Sequence, residues 1–495
     1  MGEEIETEVF QPADYERFGR RLQAELAAFS ELLRRPGFGS GTPSVGAELE
    51  VSLVDARGRP APVNAEVLRD APGDGLALEL DRFNLECETR PVALEGRPFA
   101  AMAEELEERL ARIAAAAARH GARPATIGIL PTLRTDDLGP GTLSDSVRFR
   151  ALATALRGLR EGAFRVRIAG AEPLELDWDD VTLEGAATAL HLHLRVAPEG
   201  FAAAFNAAQA ASAPAVAAAG NSPLLLGHLL WEETRVPLFH QAIDDRAEAT
   251  AGWRPSRASF GHGWVQSGAA ELFAQSATLH APILPVARDD DDPVAAVRRG
   301  DVPPLDALRL HQGTVWSWTR PVYAPAGDPH LRIELRALPS GPSVADMAAN
   351  TAFLVGLILA LAPEAEWLTA ALPFDLARRN FYAAARRGLD ATILWPSREP
   401  PSPRPHLARD LIPALLPLAR RGLTVAGVAE EESASLLAIV AERVAGGRTG
   451  AAWQRNSLAR LERCLARPEA LTALLEYYLR HAAGAQPVHS WPLAG

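Results

Sequence analysis

The chain has 495 residues and a formal net charge of −12, and all 50 of its Lys+Arg residues are arginine. The missing lysine excludes a phosphate loop that grips nucleotide through its lysine. It also excludes Schiff-base or pyridoxal chemistry and a lysine general base. The 62 acidic groups would repel a phosphate backbone, so no nucleic-acid partner is expected.

At this length one large domain or two to three smaller ones are expected, with ample surface to bury a core. Two cysteines, Cys87 and Cys464, are too few for a disulfide framework and suit a reducing cytoplasm. The N-terminal run Met1–Glu6 is acidic, with no apolar stretch of the kind a signal peptide needs. A helix is predicted from about Pro12 to Arg35, and a second from Phe99 to His120. The second has Glu105/Arg109 and Glu108/Arg112 four apart and Gly121 as its stop. Between and after them lie short alternating segments, the mark of half-buried antiparallel strands. The Ala-rich stretch Phe201–Ala219 is interrupted by Asn206, Gln209 and Pro214 and reads as helix and turn. The run Asp289–Asp292 before Pro293 reads as a solvated loop, with Asp289–Asp306 as a candidate lid. The longest apolar run, roughly Thr351 to Pro363, is too short to cross a bilayer and reads as a buried helix, so no membrane partner is expected. After about Pro400 no alternating segment remains, and Ser433–Val444 and Pro468–Ala482 are helical patterns. The division that follows is a catalytic domain over 1–400 and a helical C-terminal extension over 401–495 packed on it.

The polar faces of four strands carry the chemistry. Val45–Leu53 puts Glu48 and Glu50 on one face, and Phe83–Thr89 puts Asn84, Glu86 and Glu88 on one face. Leu190–Val196 alternates His191, His193 and Arg195 with aliphatics, and Leu331–Ala337 alternates Arg332, Glu334 and Arg336. Each alone reads as a surface strand with its polar side in water. Together they carry almost only carboxylate, imidazole and guanidinium, and clustered carboxylates need cations to be tolerated in a cleft. Carboxylate oxygens with an imidazole nitrogen suit a hard cation, Mg²⁺ or Mn²⁺. The arginines are the complement for phosphates and carboxylates. A sheet that binds divalent metals, a polyphosphate and a carboxylate substrate is the joint reading. In Thr314–Pro321, Trp316, Trp318 and Arg320 share one face, which is core or the wall of a substrate pocket.

These segments, in order over roughly Val45 to Gly388, resemble the glutamate–cysteine ligase family of carboxylate–amine ligases. Gly46-Ala47-Glu48-Leu49-Glu50 is similar to the opening G-x-E-x-E strand, and Glu79 and Glu86 to the next carboxylate pair. Gly128–Pro131 is similar to a small-residue strand end, His191-Leu192-His193 to the H-x-H strand, and Asn221-Ser222-Pro223 to an A-N-S-P element. Arg332–Arg336 is similar to the R-x-E-x-R strand and Asn380–Gly388 to a closing helix. The departures are G-A-E-L-E at the opening strand, the segment Arg257–Pro285 and the C-terminal helices.

The resemblance implies an α+β, glutamine synthetase-like fold, with a curved, mainly antiparallel sheet backed by helices. It also implies ATP-dependent amide formation through an acyl phosphate, with two or three Mg²⁺ or Mn²⁺ ions. Glu48, Glu50, Glu79, Glu86, His191 and Glu334 are then the expected metal ligands. His193, Arg332 and Arg235 stand on the nucleotide side, Arg332 and Arg320 toward transferring phosphate, and Arg336 toward the substrate carboxylate. The substrates would be a small carboxylate and an amine, glutamate with cysteine by default, with other amino acids, small amines or a peptide terminus open, as is oligomeric state. Two readings from other classes stand beside this one. An amidohydrolase also uses H-x-H on a strand, but wants it early and with a carboxylated lysine or glutamate and further histidines. A non-catalytic homologue would bind nucleotide or amino acid without turnover.

Overall fold

Alternation of apolar and charged side chains from Ser44 to Asp55 builds the strand at the centre of the sheet. The computed structural model describes residues 5–71, 73–247, 252–288, 291–399, 402–484 and 486–495. Met1–Glu4 of the acidic N-terminal run, Asp289 and Asp290 of the aspartate run, and Pro400 at the expected domain boundary lie outside the described residues.

The main sheet has eight strands: β1 (Ser44–Asp55), β2 (Leu76–Leu78), β3 (Asn84–Glu88), β4 (Val92–Ala93), β5 (Ala122–Ala125), β6 (Ala189–Val196), β7 (Thr319–Ala324) and β8 (His330–Pro339). Their order is β7-β8-β6-β1-β3-β2, with β4 and β5 also paired to β1, and every pairing is antiparallel. The four charged strands are therefore neighbours. Register sets Glu48 opposite His191, Glu50 opposite Glu86, His193 opposite Glu334, and Arg320 opposite Glu334. The alternate residues, such as Val45, Leu49 and Val51 of β1 and Leu192 and Leu194 of β6, are buried on the other face. That face packs in one core with the helices Pro98–Arg119, Phe201–Ala219 and Val344–Leu361. The apolar run expected to be a buried helix is the last of these.

The first helix, Pro12–Leu32, and the second, Pro98–Arg119, lie where expected. Phe201–Ala219 is one continuous helix rather than helix and turn. Its polar interruptions find partners outside the helix: both amide atoms of Asn206 bond the Val265 backbone, and Gln209 Nε2 donates to the Phe260 carbonyl. Pro214 is accommodated within the buried helix. Asp292 caps the helix Pro293–Arg299 instead of lying in a free loop, and Arg35 bonds the carbonyls of Val297 and Gly300. That segment is docked on the first helix. The strand Pro403–Leu407, which pairs with Thr392–Pro396, lies beyond the point after which only helices are expected. Proline and exposed positions along it hide its alternation.

The C-terminal helices share both cores. Glycines let the helices Val344–Leu361 and Ala408–Ala426 cross closely: a β-carbon on Gly356 would sit 2.6 Å from the Ala419 carbonyl oxygen, and one on Gly422 would strike the Gly356 carbonyl. Trp453, Tyr478 and Trp491 pack in a second core with Val54, Phe83 and Ile127. Arg443, fully buried, donates to Asp346 at 2.7 Å, and Asp346 also accepts from the Val488 backbone at 2.9 Å. Removing one partner of a buried pair strands the other charge, which costs about 3–5 kcal/mol. Arg443→Ala should lose that much in denaturant unfolding, and Arg443→Ala with Asp346→Ala less than the sum of the two singles. A loss below about 1 kcal/mol would show that the pair is not a tie.

Candidate functional site

The charged face of the sheet walls a cavity of about 630 Å³. Glu48 and Glu50 reach it from β1, Glu86 from β3, His191 and His193 from β6, Arg320 from β7, and Arg332, Glu334 and Arg336 from β8. Glu79 enters from the turn after β2. The period of two does this: side chains two apart share a face, and five strands present theirs to the same space.

His191 lies at the centre. Its Nδ1 is 3.6 Å from Glu48 Oε2 and 3.9 Å from Glu334 Oε1, and its Nε2 is 3.6 Å from Glu50 Oε1. These separations exceed hydrogen-bond length, and Nδ1 is buried without a partner. His193 Nε2 is 2.8 Å from Glu48 Oε1. Glu334, fully buried, accepts from Arg320 Nε and Arg336 Nη1, both at 2.6 Å. Arg332 Nε is buried and unpartnered.

The electrostatics divide the carboxylates. Burial pushes Glu50 and Glu86 well above the usual carboxylate range, and the neighbouring charges of Glu79 on Glu50 and of Glu48 and Glu79 on Glu86 add to it. Burial raises Glu79 as well. Glu184, at the rim near Glu79, is pushed up to about 8 by burial and by Glu79. Burial opposes ionisation of Glu48 and Glu334 too, but His193 holds Glu48 well below its ordinary value, and Arg320 and Arg336 hold Glu334 down. Burial and Arg336 lower His191 to about 4, so the ring is neutral and its nitrogen is available as a ligand.

Four raised carboxylates mean that the folded protein binds more protons than the unfolded chain above pH 4.5, where the unfolded groups titrate. Their stabilisation is complete below that pH and is lost as pH rises through the folded values, which for Glu184 is about 8. Glu48 and Glu334 have the opposite sign, and their contribution is complete above it. The lowered His191 has the opposite sign up to about pH 6.5, where the unfolded imidazole titrates, so metal-free protein should lose Tm between about pH 6.5 and pH 8. A flat profile there would mean that the cluster does not hold protons.

The donors suit a hard divalent cation. Ligand atoms of Glu48, His191 and Glu334 lie within 4.8 Å of one another, as do those of Glu50, Glu86 and His191. Oxygen donors with one imidazole nitrogen, an unpartnered buried nitrogen among them, and carboxylates that repel one another when ionised all favour a cation between them.

Arg235 is not in this cavity. It is buried at the start of the helix Arg235–Ala242, where Nε donates to Glu233 at 2.8 Å and Nη2 to the Ala337 carbonyl at 2.8 Å. A guanidinium so held ties two chain segments together and stands apart from the cavity that the other expected site residues line. The adjoining Asn221 and Ser222 bond to Ser340, Tyr478 and Glu233, a structural junction. The tryptophans divide: β7 begins only at Thr319, Trp316 lines the cavity, and Trp318 packs in the core against Phe239 and Phe381. Glu184, Arg148 and Arg309 also line the cavity, and sequence reasoning missed all three. Glu184 sits in a short 3-10 turn, Arg148 on a helix rich in other arginines, and Arg309 as the single arginine of a seven-residue helix, so no periodic signal marks them.

The sheet thus turns its carboxylate and arginine face inward onto one cavity. The sequence model of the glutamate-cysteine ligase family 2 (GCS2) matches residues 44–471, and the chain belongs to that family. It is thereby an enzyme of the ATP-dependent class that makes amide bonds. The glutamate–cysteine ligase of Francisella tularensis, solved in complex with AMP, shares the fold with a TM-score of 0.57 at 12% identity, over 91% of this chain and 90% of that one. A bifunctional glutathione synthetase from Pasteurella multocida superposes with a TM-score of 0.44 at 11% identity, covering 94% of this chain and 54% of that one. The ligase PafA, solved with the prokaryotic ubiquitin-like protein Pup, gives 0.41 at 10% identity over 90% and 74%. No curated protein matches the sequence.

Proposed function

We propose that this protein joins a small-molecule carboxylate to an amine in an ATP- and Mg²⁺- or Mn²⁺-dependent reaction through an acyl phosphate. The observation that carries the reading is the gathering of Glu48, Glu50, Glu86, His191 and Glu334 with three arginines on one sheet face, and of Glu79 from the adjoining turn, around one cavity. A carboxylate oxygen would attack the γ-phosphorus of ATP and release ADP. The amine nitrogen would then attack the acyl carbon, phosphate would leave, and the nitrogen would lose a proton. A bound divalent cation supplies neutralisation of phosphate charge, and the six residues named are those that would hold it. Arg332, with its unpartnered Nε, would bind transferring phosphate. Arg336 has one N–H engaged by Glu334 and others free for a substrate carboxylate. Leu76, Leu78, Phe149 and Leu152 wall the cavity with apolar surface, which helps keep water from an acyl phosphate.

The test is phosphate release from ATP with MgCl₂ or MnCl₂ across pairs of amino acids and amines, beginning with glutamate and cysteine, with mass spectrometry of the products. Release that requires both an acid and an amine, together with an amide of the summed mass less water, is the expected result. Amide cleavage without ATP would favour the hydrolase reading, and nucleotide binding without turnover a non-catalytic homologue.

A further inference from the structure

A second, smaller chamber of about 40 Å³ adjoins the main cavity. Gln312 and Pro321 line both spaces. Its other walls come from the helix Phe201–Ala219 (Gln209), the helix Ala269–Leu279 (Ser276), His280 just after that helix, and the loop that carries Gly261 and His262. His262 is exposed and stands at the mouth, whereas Gln209, Ser276, His280 and Gln312 are buried. The loop lies within the segment Arg257–Pro285.

Three of the buried wall atoms have no hydrogen-bond partner: Gln209 Oε1, Ser276 Oγ and Gln312 Oε1. Buried polar atoms are paired in more than about nine cases in ten, so three on one small chamber point to something that fills it. The orientation of Gln209 is fixed, because its Nε2 donates to the Phe260 carbonyl at 2.9 Å; its oxygen is therefore an acceptor turned away from that bond. Gln312 offers a second free amide oxygen, and Ser276 a hydroxyl that can donate or accept. His280 is neutral, since burial and the nearby Arg257 lower it to about 3. That positive surrounding disfavours a cation in the chamber, and two free carbonyl oxygens disfavour an anion. A neutral group with two N–H donors and one acceptor satisfies all of them.

We propose that this chamber is a binding subsite for a primary carboxamide. The two amide hydrogens would go to Gln209 Oε1 and Gln312 Oε1, and the amide oxygen would accept from Ser276 or His280. The volume holds little more than such a head group, given that one water needs roughly 10–15 Å³ of this kind of space. The remainder of a larger ligand extends beyond the chamber. Because Gln312 is shared, an occupant would also be felt in the main cavity.

The test uses the full-length protein without ATP, so that it does not depend on ligase turnover. Acetamide is the probe and N,N-dimethylacetamide, which has no N–H, the control; binding is read by ligand-observed NMR titration and by thermal shift. Saturable millimolar binding of acetamide, with none of dimethylacetamide, is expected. Ser276→Ala and Gln209→Leu should each weaken it roughly tenfold, the scale of one lost buried hydrogen bond. Ser276→Ala deletes one atom and keeps the test available if Gln209→Leu fails to fold. Equal binding of both amides, or acetamide binding unchanged in both variants, would overturn the assignment. So would a high-resolution acetamide-soaked crystal with water alone in the chamber. A ligase screen that fails while acetamide binds would sink the proposed activity and leave this subsite standing.

Discussion

Glu86→Gln is expected to abolish ATP turnover and leave the melting temperature of the metal-free protein unchanged or raised. Glu86 is 7% exposed, it faces Glu50 across the β1–β3 ladder, and burial with the charges of Glu48 and Glu79 disfavours its ionised form. The amide keeps the shape and removes the charge that the fold resists. What is lost is a ligand oxygen in the group formed with Glu50 and His191. Loss of an outer-shell partner alone costs 10–100-fold in metal affinity or activity, so loss of a ligand should exceed about 100-fold. A second readout separates this from a folding defect. MgCl₂ or MnCl₂ should raise the Tm of the wild type by relieving carboxylate repulsion, more at about pH 8 than at pH 5, and should raise that of Glu86→Gln less. A Glu86→Gln enzyme that keeps its turnover would remove the metal assignment for β3. One that is inactive but also several degrees less stable would reassign Glu86 to the fold.

That each of these strands carries a charged face was legible because a strand repeats every two residues, so Glu48/Glu50, Glu86, His191/His193 and Arg332/Glu334/Arg336 each declare a face in the sequence itself. Their adjacency was not written there. It comes from the strand order β7-β8-β6-β1-β3-β2, which brings together segments almost 300 residues apart. Family resemblance supplied what periodicity could not, including Glu79, which sits in a turn. Arg235 shows the limit of both: a charged residue after a motif looked available, yet its charge is consumed by Glu233 two residues earlier. The helix Phe201–Ala219 was broken on paper by Asn206 and Gln209, whose partners lie more than 50 residues away in the 260–265 loop. Long-range hydrogen bonds of that kind leave no local trace. The strand Pro403–Leu407 was lost for the opposite reason, since its exposed, proline-bearing sequence carries no buried face to alternate with.

Arg336→Lys should separate a charge requirement from a geometric one in a protein that uses no lysine anywhere. Arg336 is expected to do two things at once: Nη1 holds the fully buried Glu334, and the remaining N–H groups face the cavity for a substrate carboxylate. A planar fork with five donors can serve both, whereas an ammonium is a single point of charge at the end of a flexible stem. Losing a charged, hydrogen-bonded partner costs about 2–5 kcal/mol, and each 1.4 kcal/mol is tenfold. Arg336→Gln should accordingly raise KM for the acid by about 100-fold or more and lower stability by leaving Glu334 with Arg320 alone. Arg336→Lys should recover most of the stability, because the charge beside Glu334 is restored, and little of the KM. Arg332→Lys should behave differently, with KM for ATP rising only modestly, because an ammonium still binds phosphate as a point charge. If Arg336→Lys restored both stability and KM, the paired role would be wrong and the site would need only positive charge. The absence of lysine would then be a matter of composition. If only the guanidinium serves, the missing lysine is consistent at this position with the chemistry of the cavity: the residue must grip two carboxylates from one plane.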